Sequence, residues 1–239
     1  MADWWEVWSS YRPSDFLMFS PGTYWRLIEL HNRAAWPLQL LVLALGGVLA
    51  WALGRGHRWV PRVLLLLSAL AWLAVAWGWH LQRYAAINWA ATWLAGAFAL
   101  QAGLWLVAAA LPQHGSAAPA WVRRWAVGLL LAGLLAYPLL GPALGHPWVQ
   151  GETLALSPDP TLLASLAALL AARRVWLWPI PLVGCALSAL TLWTMDEPLQ
   201  ALVLPTAALT ALVVSVVSVV AGRRDARLDL QHLGHRVGP

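Results

Sequence analysis

Apolar residues run along this chain in blocks of about twenty, and the short polar gaps between them alternate between arginine-bearing and acid-bearing. A hydrocarbon layer about 30 Å thick needs about 20 apolar residues in helical form. Six blocks meet that length: Ala35 to Gly54, Val60 to His80, Asn88 to Leu111, Trp121 to Leu140, Val175 to Met195 and Leu199 to Ala221. A further block, Thr161 to Ala172, is short of a full span and stands just before Arg173 and Arg174. The pattern predicts an all-α, polytopic transmembrane helical bundle of seven spans, the fifth of them short.

Charge decides whether the short block crosses. With seven crossings, Arg55, Arg58, Arg62, Arg123, Arg124, Arg173, Arg174, Arg223, Arg224, Arg227 and Arg236 share one side. Only Arg12, Arg26, Arg33 and Arg83 fall on the other. That asymmetry places the C-terminus in the cytoplasm and the N-terminus outside, in a bacterial inner membrane. Without the fifth crossing, Arg173 and Arg174 would move to the wrong side or the flanking helices would invert. The chain then divides into an outer interfacial amphipathic segment at 1–34, a membrane domain at 35–221 and an arginine-rich cytoplasmic tail at 222–239.

The first segment carries Trp4, Trp5, Trp8, Phe16, Phe19, Tyr24 and Trp25 among polar residues. Ser14 and Ser20 are placed to cap helices, with Pro21 at a first helical position. Two short interfacial helices are expected, Ser14 to Phe19 and Pro21 to Ala34. Asp3 and Glu6 stand where a signal peptide would carry positive charge. Many of the 19 tryptophans, including Trp36, Trp59, Trp79, Trp89, Trp148 and Trp178, sit at predicted helix ends as an aromatic belt would. Trp72, Trp93 and Trp105 lie deeper and are expected to pack the bundle or face lipid. Small-residue stripes, Gly96/Ala99/Gly103 and Gly128/Ala132/Ala136, predict that the third and fourth spans are neighbours. Pro138, Pro142, Pro179, Pro181 and Pro205 are expected to break or kink their helices.

Composition agrees with a membrane solvent: 61% of the residues are hydrophobic and 10% charged, too little polar surface to cover a soluble core. The net charge of +5 does not indicate nucleic acid as a partner, because the arginines sit at helix ends in ones to threes and form no phosphate-tracking face. Cys185 is single and reads as a small packing residue. A retinal protein is excluded, since the chain has no lysine for a Schiff base.

Candidate chemistry is confined to the outer side. The span interiors hold no acids or bases, and Gln39, Gln101, Ser68, Ser188, Thr191, Thr206, Thr210, Ser215 and Ser218 are expected to be satisfied by backbone or neighbouring helices. That argues against a proton-coupled pump and against an enzyme at the midplane. His31, His80 and His146 fall at the outer interface with Glu29, Glu152, Asp159, Asp196 and Glu197. They are the candidate ligands for a metal ion, and His80 for a haem, although no metal-binding spacing supports them. His57, His114, His232 and His235 fall inside. The stretch from Gly145-His146-Pro147-Trp148 to Pro158-Asp159-Pro160-Thr161 is a stiff loop in which Asp159 or Thr161 can cap the short helix. Asn88 can cap the third span. Asn88, Trp148, Asp159 and Thr161 form the candidate ligand or partner surface.

The segment Tyr24 to Asn32 with Trp36-Pro37, the Ile87-Asn88 and Ala90-Ala91 pairs, and the loop from His146-Pro147 to Pro158-Asp159-Pro160-Thr161 resemble a bacterial family of multi-pass membrane proteins of unknown function. Its members are often loosely labelled transporter permeases. The resemblance covers about Ser14 to Val220 and implies a shared helical fold with a functional outer face around Asn88 and the proline loop. That family tends to carry Cys where this chain has Asp159, so thiolate chemistry is not expected here. Three readings follow. The first is a non-catalytic accessory or structural subunit packed against a larger membrane-protein partner in the bilayer. The others are a small-molecule permease or binding protein with an outward-facing pocket, and an outer-face metal or haem protein.

Overall fold

The computed structural model describes residues 17–112 and 118–236, with side chains described as far as Arg224. Trp4, Trp5, Trp8, Ser14, Phe16 and His114 lie outside the described residues, as do the side chains of His232 and His235. Every regular element among the described residues is helical. Helix α1 is Pro21–Ala35 and α2 is Leu38–Arg55. Helix α3, Val60–Ala74, continues through a π-helical segment, Val75–Leu81, and α4 is Ala91–Ala110. Helix α5 runs from Ala120–Leu131 through a π turn, Ala132–Ala136, into Tyr137–Ala143. Then come α6, Pro158–Ala172, α7, Pro179–Thr194, and α8, which starts at Pro198–Ala201 and resumes as Val203–Arg236. Six of these, α2 to α5, α7 and α8, are long and apolar enough to cross a membrane.

Helix α6 occupies the centre. Its sequence, PDPTLLASLAALLAA, is apolar on every side, and a helix apolar all round is a buried one. Every residue from Pro158 to Ala171 is buried, against α3, α5, α7 and α8. Fifteen residues span only about 22 Å at 1.5 Å each. Protein, not lipid, surrounds this helix, so the mismatch with the bilayer does not expose its ends. The outer helices are the reverse: Leu41, Leu70, Leu100 and Leu209 are all more than half exposed. Such a surface suits lipid and marks a multi-pass membrane protein.

The charged residues sort to two ends. Arg62 donates to the Ala109 carbonyl (3.0 Å) and Arg174 to the Pro112 carbonyl (2.8 Å), tying the start of α3 and the end of α6 to the end of α4, while Arg123 donates locally to Ala118 (2.8 Å) at the start of α5 with its guanidinium beside Gly56. At the other end α1 lies against the loop that follows α5. There Asn32 donates to the carbonyls of Val149 (2.9 Å) and Gly151 (2.8 Å). Ser20 caps α1 as expected, its hydroxyl accepting from the Thr23 amide at 3.3 Å. The helix expected from Ser14 to Phe19 is not formed where it can be followed, because Leu17 to Ser20 is a bend.

Helix packing departs from the stripe argument. Gly96, Gly103 and Gly128 have open space where a Cβ would stand, and α4 packs on α3, whereas α5 packs on α6 and α2. The third and fourth spans are therefore not close neighbours. The tight approaches use other glycines: a Cβ on Gly133 would lie 2.7 Å from the Pro160 carbonyl oxygen, so α5 reaches the α6 backbone only through that residue. Two of the prolines also act differently from expectation. Pro179 and Pro181 occupy the first turn of α7, where a missing amide is harmless, whereas α8 is interrupted at Leu202 just ahead of Pro205, as a helix-breaking proline predicts. Only Pro138 and Pro142 lie within a continuing helix, and the π turn at Ala132–Ala136 absorbs the displaced carbonyl ahead of Pro138.

Candidate functional site

One continuous hydrogen-bonded chain crosses the end of the bundle opposite Arg62, Arg123 and Arg174. Tyr24 of α1 donates its hydroxyl to Glu152 Oε1 at 3.3 Å. Gln200, at the start of α8, donates through Nε2 to Glu152 Oε2 (3.0 Å) and to the Tyr137 hydroxyl (3.2 Å). Tyr137 of α5 in turn donates to Asp159 Oδ2 at 2.6 Å, and Ser188 of α7 donates to Asp159 Oδ1. Five helices and the loop before α6 thus meet through six side chains. Glu152, Asp159 and Gln200 are each 2% exposed.

Local sequence explains the placement. Gly151 lets the loop press on α5, since a Cβ there would stand 2.8 Å from the Pro138 carbonyl oxygen, and Asn32 clamps the loop from above. Glu152 follows directly and is turned inward. Asp159 sits in the first turn of α6, where the helix dipole favours negative charge. The two π segments deliver the remaining groups: Val75–Leu81 buries Trp79 and His80, and Ala132–Ala136 leads into Tyr137.

The electrostatics are unusual in one respect. All donors to the two carboxyl groups are neutral, and neither carboxyl has an ion-pair partner among the described residues. Burial, then the neighbouring Asp159 charge, pushes the Glu152 carboxyl well above its usual 4.5. Burial and the nearby carboxylates push Tyr24 upward as well, so it remains a neutral donor. An uncompensated buried charge is expensive, so this pair must hold a proton or acquire a cation.

Beside Asp159 lies a cavity of about 60 Å³ lined by Tyr24, Trp79, His80, Tyr84, Phe98, Asp159 and Ser188 and by several leucines of α4, α6 and α7. His80 is 2% exposed, and neither of its ring nitrogens has a hydrogen-bond partner. Its ring packs on Phe98, with centroids 4.7 Å apart.

The residues singled out from sequence separate into different roles. Asp159 belongs to the buried chain and does not cap α6, whose N-cap residue is Ser157. Thr161 is buried too: its hydroxyl donates to the Ser157 carbonyl (2.8 Å) and accepts from the Ala155 amide (2.9 Å). Asn88 closes the turn into α4, accepting from the Ala90 amide (3.0 Å) and donating to the Tyr84 hydroxyl (2.9 Å). Trp148 is 74% exposed and touches none of these groups through a hydrogen bond. His146 pairs with Glu197 at 2.8 Å and lies on Trp25, while His31 packs near Trp79 and is held below its usual pKa by burial and by Arg83. The three histidines do not form a ligand set: no group of three or more His, Cys, Asp or Glu able to hold a metal ion occurs among the described residues.

Sequence reasoning placed Glu152 and Asp159 on a solvated rim and missed Tyr24, Tyr137 and Gln200 as their partners. A signal was present. The chain has 19 tryptophans and four tyrosines, and Tyr24, Tyr84 and Tyr137 all stand at this end of the bundle. Belts were already supplied by tryptophan, which left the tyrosine hydroxyls to be explained.

The sequence model of DUF6064, a family of unknown function, matches residues 22–226. The chain belongs to this family. The DUF6064 match takes in every residue of the buried chain, from Tyr24 to Gln200. No curated protein and no solved structure matches the chain.

Proposed function

We propose that this protein is a small-solute binding protein or permease of the bacterial inner membrane, with its site in the cavity beside Asp159. The carrying observation is a pair of buried carboxyl groups without countercharge next to a cavity lined in part by an unpartnered imidazole. Ionisable groups within a membrane bundle mark ligand or ion pathways by default, because no packing benefit offsets their desolvation. On this reading the arginine-rich end is cytoplasmic and the polar chain lies beneath the periplasmic face. Purified protein, screened against small amines, amides, alcohols and carboxylates, is expected to gain thermal stability with one class, and Asp159→Asn to abolish that gain. If no class stabilises it, or if the gain survives the substitution, the reading is wrong. Flux into proteoliposomes then separates a permease from a static binder, and reporter fusions at the C-terminus test its side.

A second reading, a non-catalytic accessory subunit of a larger membrane complex, is favoured by the outward faces of α4 and α5. Gly96, Gly103 and Gly128 leave room there for a partner helix at close range. Co-purification of a stable partner, lost on Gly96→Leu with Gly103→Leu, would support it, and an isolated monomer carrying full function would exclude it.

A further inference from the structure

We infer that the solute taken by this cavity is a small organic monocation, an alkylammonium of about four to six heavy atoms, with its charge on Asp159 and its alkyl groups against ring faces. The inference rests on the reading of the cavity as a solute site. It starts from what the cavity lacks. Asp159 and Glu152 are buried together and receive hydrogen bonds only from Tyr24, Tyr137, Ser188 and Gln200, all neutral. A cationic ligand supplies the missing countercharge.

The walls decide which cation. A hard metal ion replaces its hydration shell with about six oxygen donors. Here one carboxylate and a few hydroxyls line the space, and the hydroxyls of Tyr24 and Ser188 already point their protons at carboxyl oxygens. The remaining lining is apolar, with four aromatic rings, Tyr24, Trp79, Tyr84 and Phe98, set among leucines such as Leu94, Leu162 and Leu187. Ring faces carry negative quadrupole and attract organic cations, most strongly where water is excluded. Trp79 and Tyr84 stack with an interplanar angle of 18°, and Tyr24 meets both edge to face, so these rings are fixed before a ligand arrives. Size sets the limit: a water needs about 10–15 Å³ by this measure, so about 60 Å³ admits four to six such groups.

His80 adds the second, independent indication. His80 lines the cavity at 2% exposure with both ring nitrogens unpartnered, and a neutral imidazole offers one acceptor nitrogen to any donor that reaches it. An ammonium N–H is such a donor. The Asp159 carboxyl in the wall disfavours an anion.

The test is isothermal titration of purified full-length protein with trimethylammonium, tetramethylammonium, tert-butanol and acetate. Trimethylammonium and tetramethylammonium should bind, tert-butanol at least tenfold more weakly, and acetate not at all. Asp159→Asn should weaken both cations at least a hundredfold. His80→Leu should weaken trimethylammonium, which has an N–H, about tenfold and leave tetramethylammonium, which has none, within twofold. Should Asp159→Asn fail to fold, Phe98→Leu keeps the volume and removes a ring face, and a loss of about fivefold for tetramethylammonium is expected. Binding of tert-butanol or acetate in preference to the cations, still sensitive to His80→Leu, overturns the inference and leaves the cavity a solute site. Cation binding that none of the three substitutions alters overturns the inference as well. No binding by any of the four probes overturns both.

Discussion

Two cavities flank α6, and they are built on opposite rules. The larger, about 270 Å³, lies among α2, α3, α5 and α6 and is lined by Gly46, Leu49, Leu64, Ala71, Leu130 and Ser165, among others. Its hydroxyls on α6 are already used: Ser165 donates to the Thr161 carbonyl and accepts from the Trp72 indole, both at 2.7 Å, while Thr161 is occupied by Ser157 and Ala155. The smaller, about 60 Å³, holds an unpartnered imidazole and a carboxyl group without countercharge. Space alone therefore points to the wrong side of α6. In a bundle bathed by lipid, an apolar void exchanges one hydrocarbon contact for another, whereas an unmet charge costs several kcal/mol and persists only where it serves something.

Trp72, which links a lining residue of the large cavity to one of the small, is the place where the contrast can be broken most severely. Trp72 is fully buried, donates to Ser165 on the large side and packs on Phe98 of the small side with ring centroids 4.2 Å apart. Trp72→Ala removes both contacts. For a soluble core such a truncation costs about 3–5 kcal/mol. Lipid weakens the transfer part, so about 3 kcal/mol is expected here from the void and the lost hydrogen bond. Unfolding in detergent, followed by tryptophan emission or circular dichroism, measures it. A loss under about 1 kcal/mol would mean that neither the Ser165 bond nor the Phe98 contact holds the bundle together.

Acid titration sharpens the electrostatic half. The Glu152 carboxyl is raised in the folded state by burial and by Asp159, relative to an ordinary value of 4.5. A raised acid favours the folded state while protonated, so its contribution is complete below pH 4.5 and is lost as pH climbs through the folded-state pKa. Stability should therefore fall with rising pH above 4.5, by up to about 1.4 kcal/mol per pH unit for each proton retained. Glu152→Gln should flatten most of that slope, since the amide stays neutral throughout. A wild-type profile that is flat or rises over the same range would show that the pair carries no retained proton.

Much of this architecture was legible in the letters, for a physical reason. Bilayer thickness fixes helix length and arginine placement fixes which ends lie together, so the six long helices and the meeting of Arg62, Arg123 and Arg174 at one end were readable from spacing alone. Depth was not readable. Glu152 and Asp159 stand between apolar blocks, where a linear reading gives them to water. Their burial depends on Gly151 and Asn32 turning a loop inward and on Tyr24 arriving from a helix 128 residues away. Neighbour choice was equally hidden: small-residue stripes state that a face is smooth, and Gly96 and Gly103 show that a smooth face can look outward. Hydropathy reports a residue's preference, whereas a buried carboxyl is where the fold overrides it.

The gentlest test compares a filled void on each side of α6. Ala71 lines the large cavity, and Ala71→Leu adds three carbons to space that no polar group claims. Leucine and alanine differ little in helix propensity, so the change should stabilise the protein by about 0.5–1 kcal/mol through added packing and leave solute binding unaltered. Gly184 lines the small cavity on α7, where a Cβ would already stand 2.7 Å from a Leu162 methyl. Gly184→Leu must displace that methyl and crowd the space beside Asp159, so it should abolish binding. Melting temperature and titration on the same two samples check both expectations. If filling the large cavity removed binding and filling the small one did not, the solute would reside on the apolar flank of α6, and the unpaired carboxyl would have to be explained as a feature of folding alone.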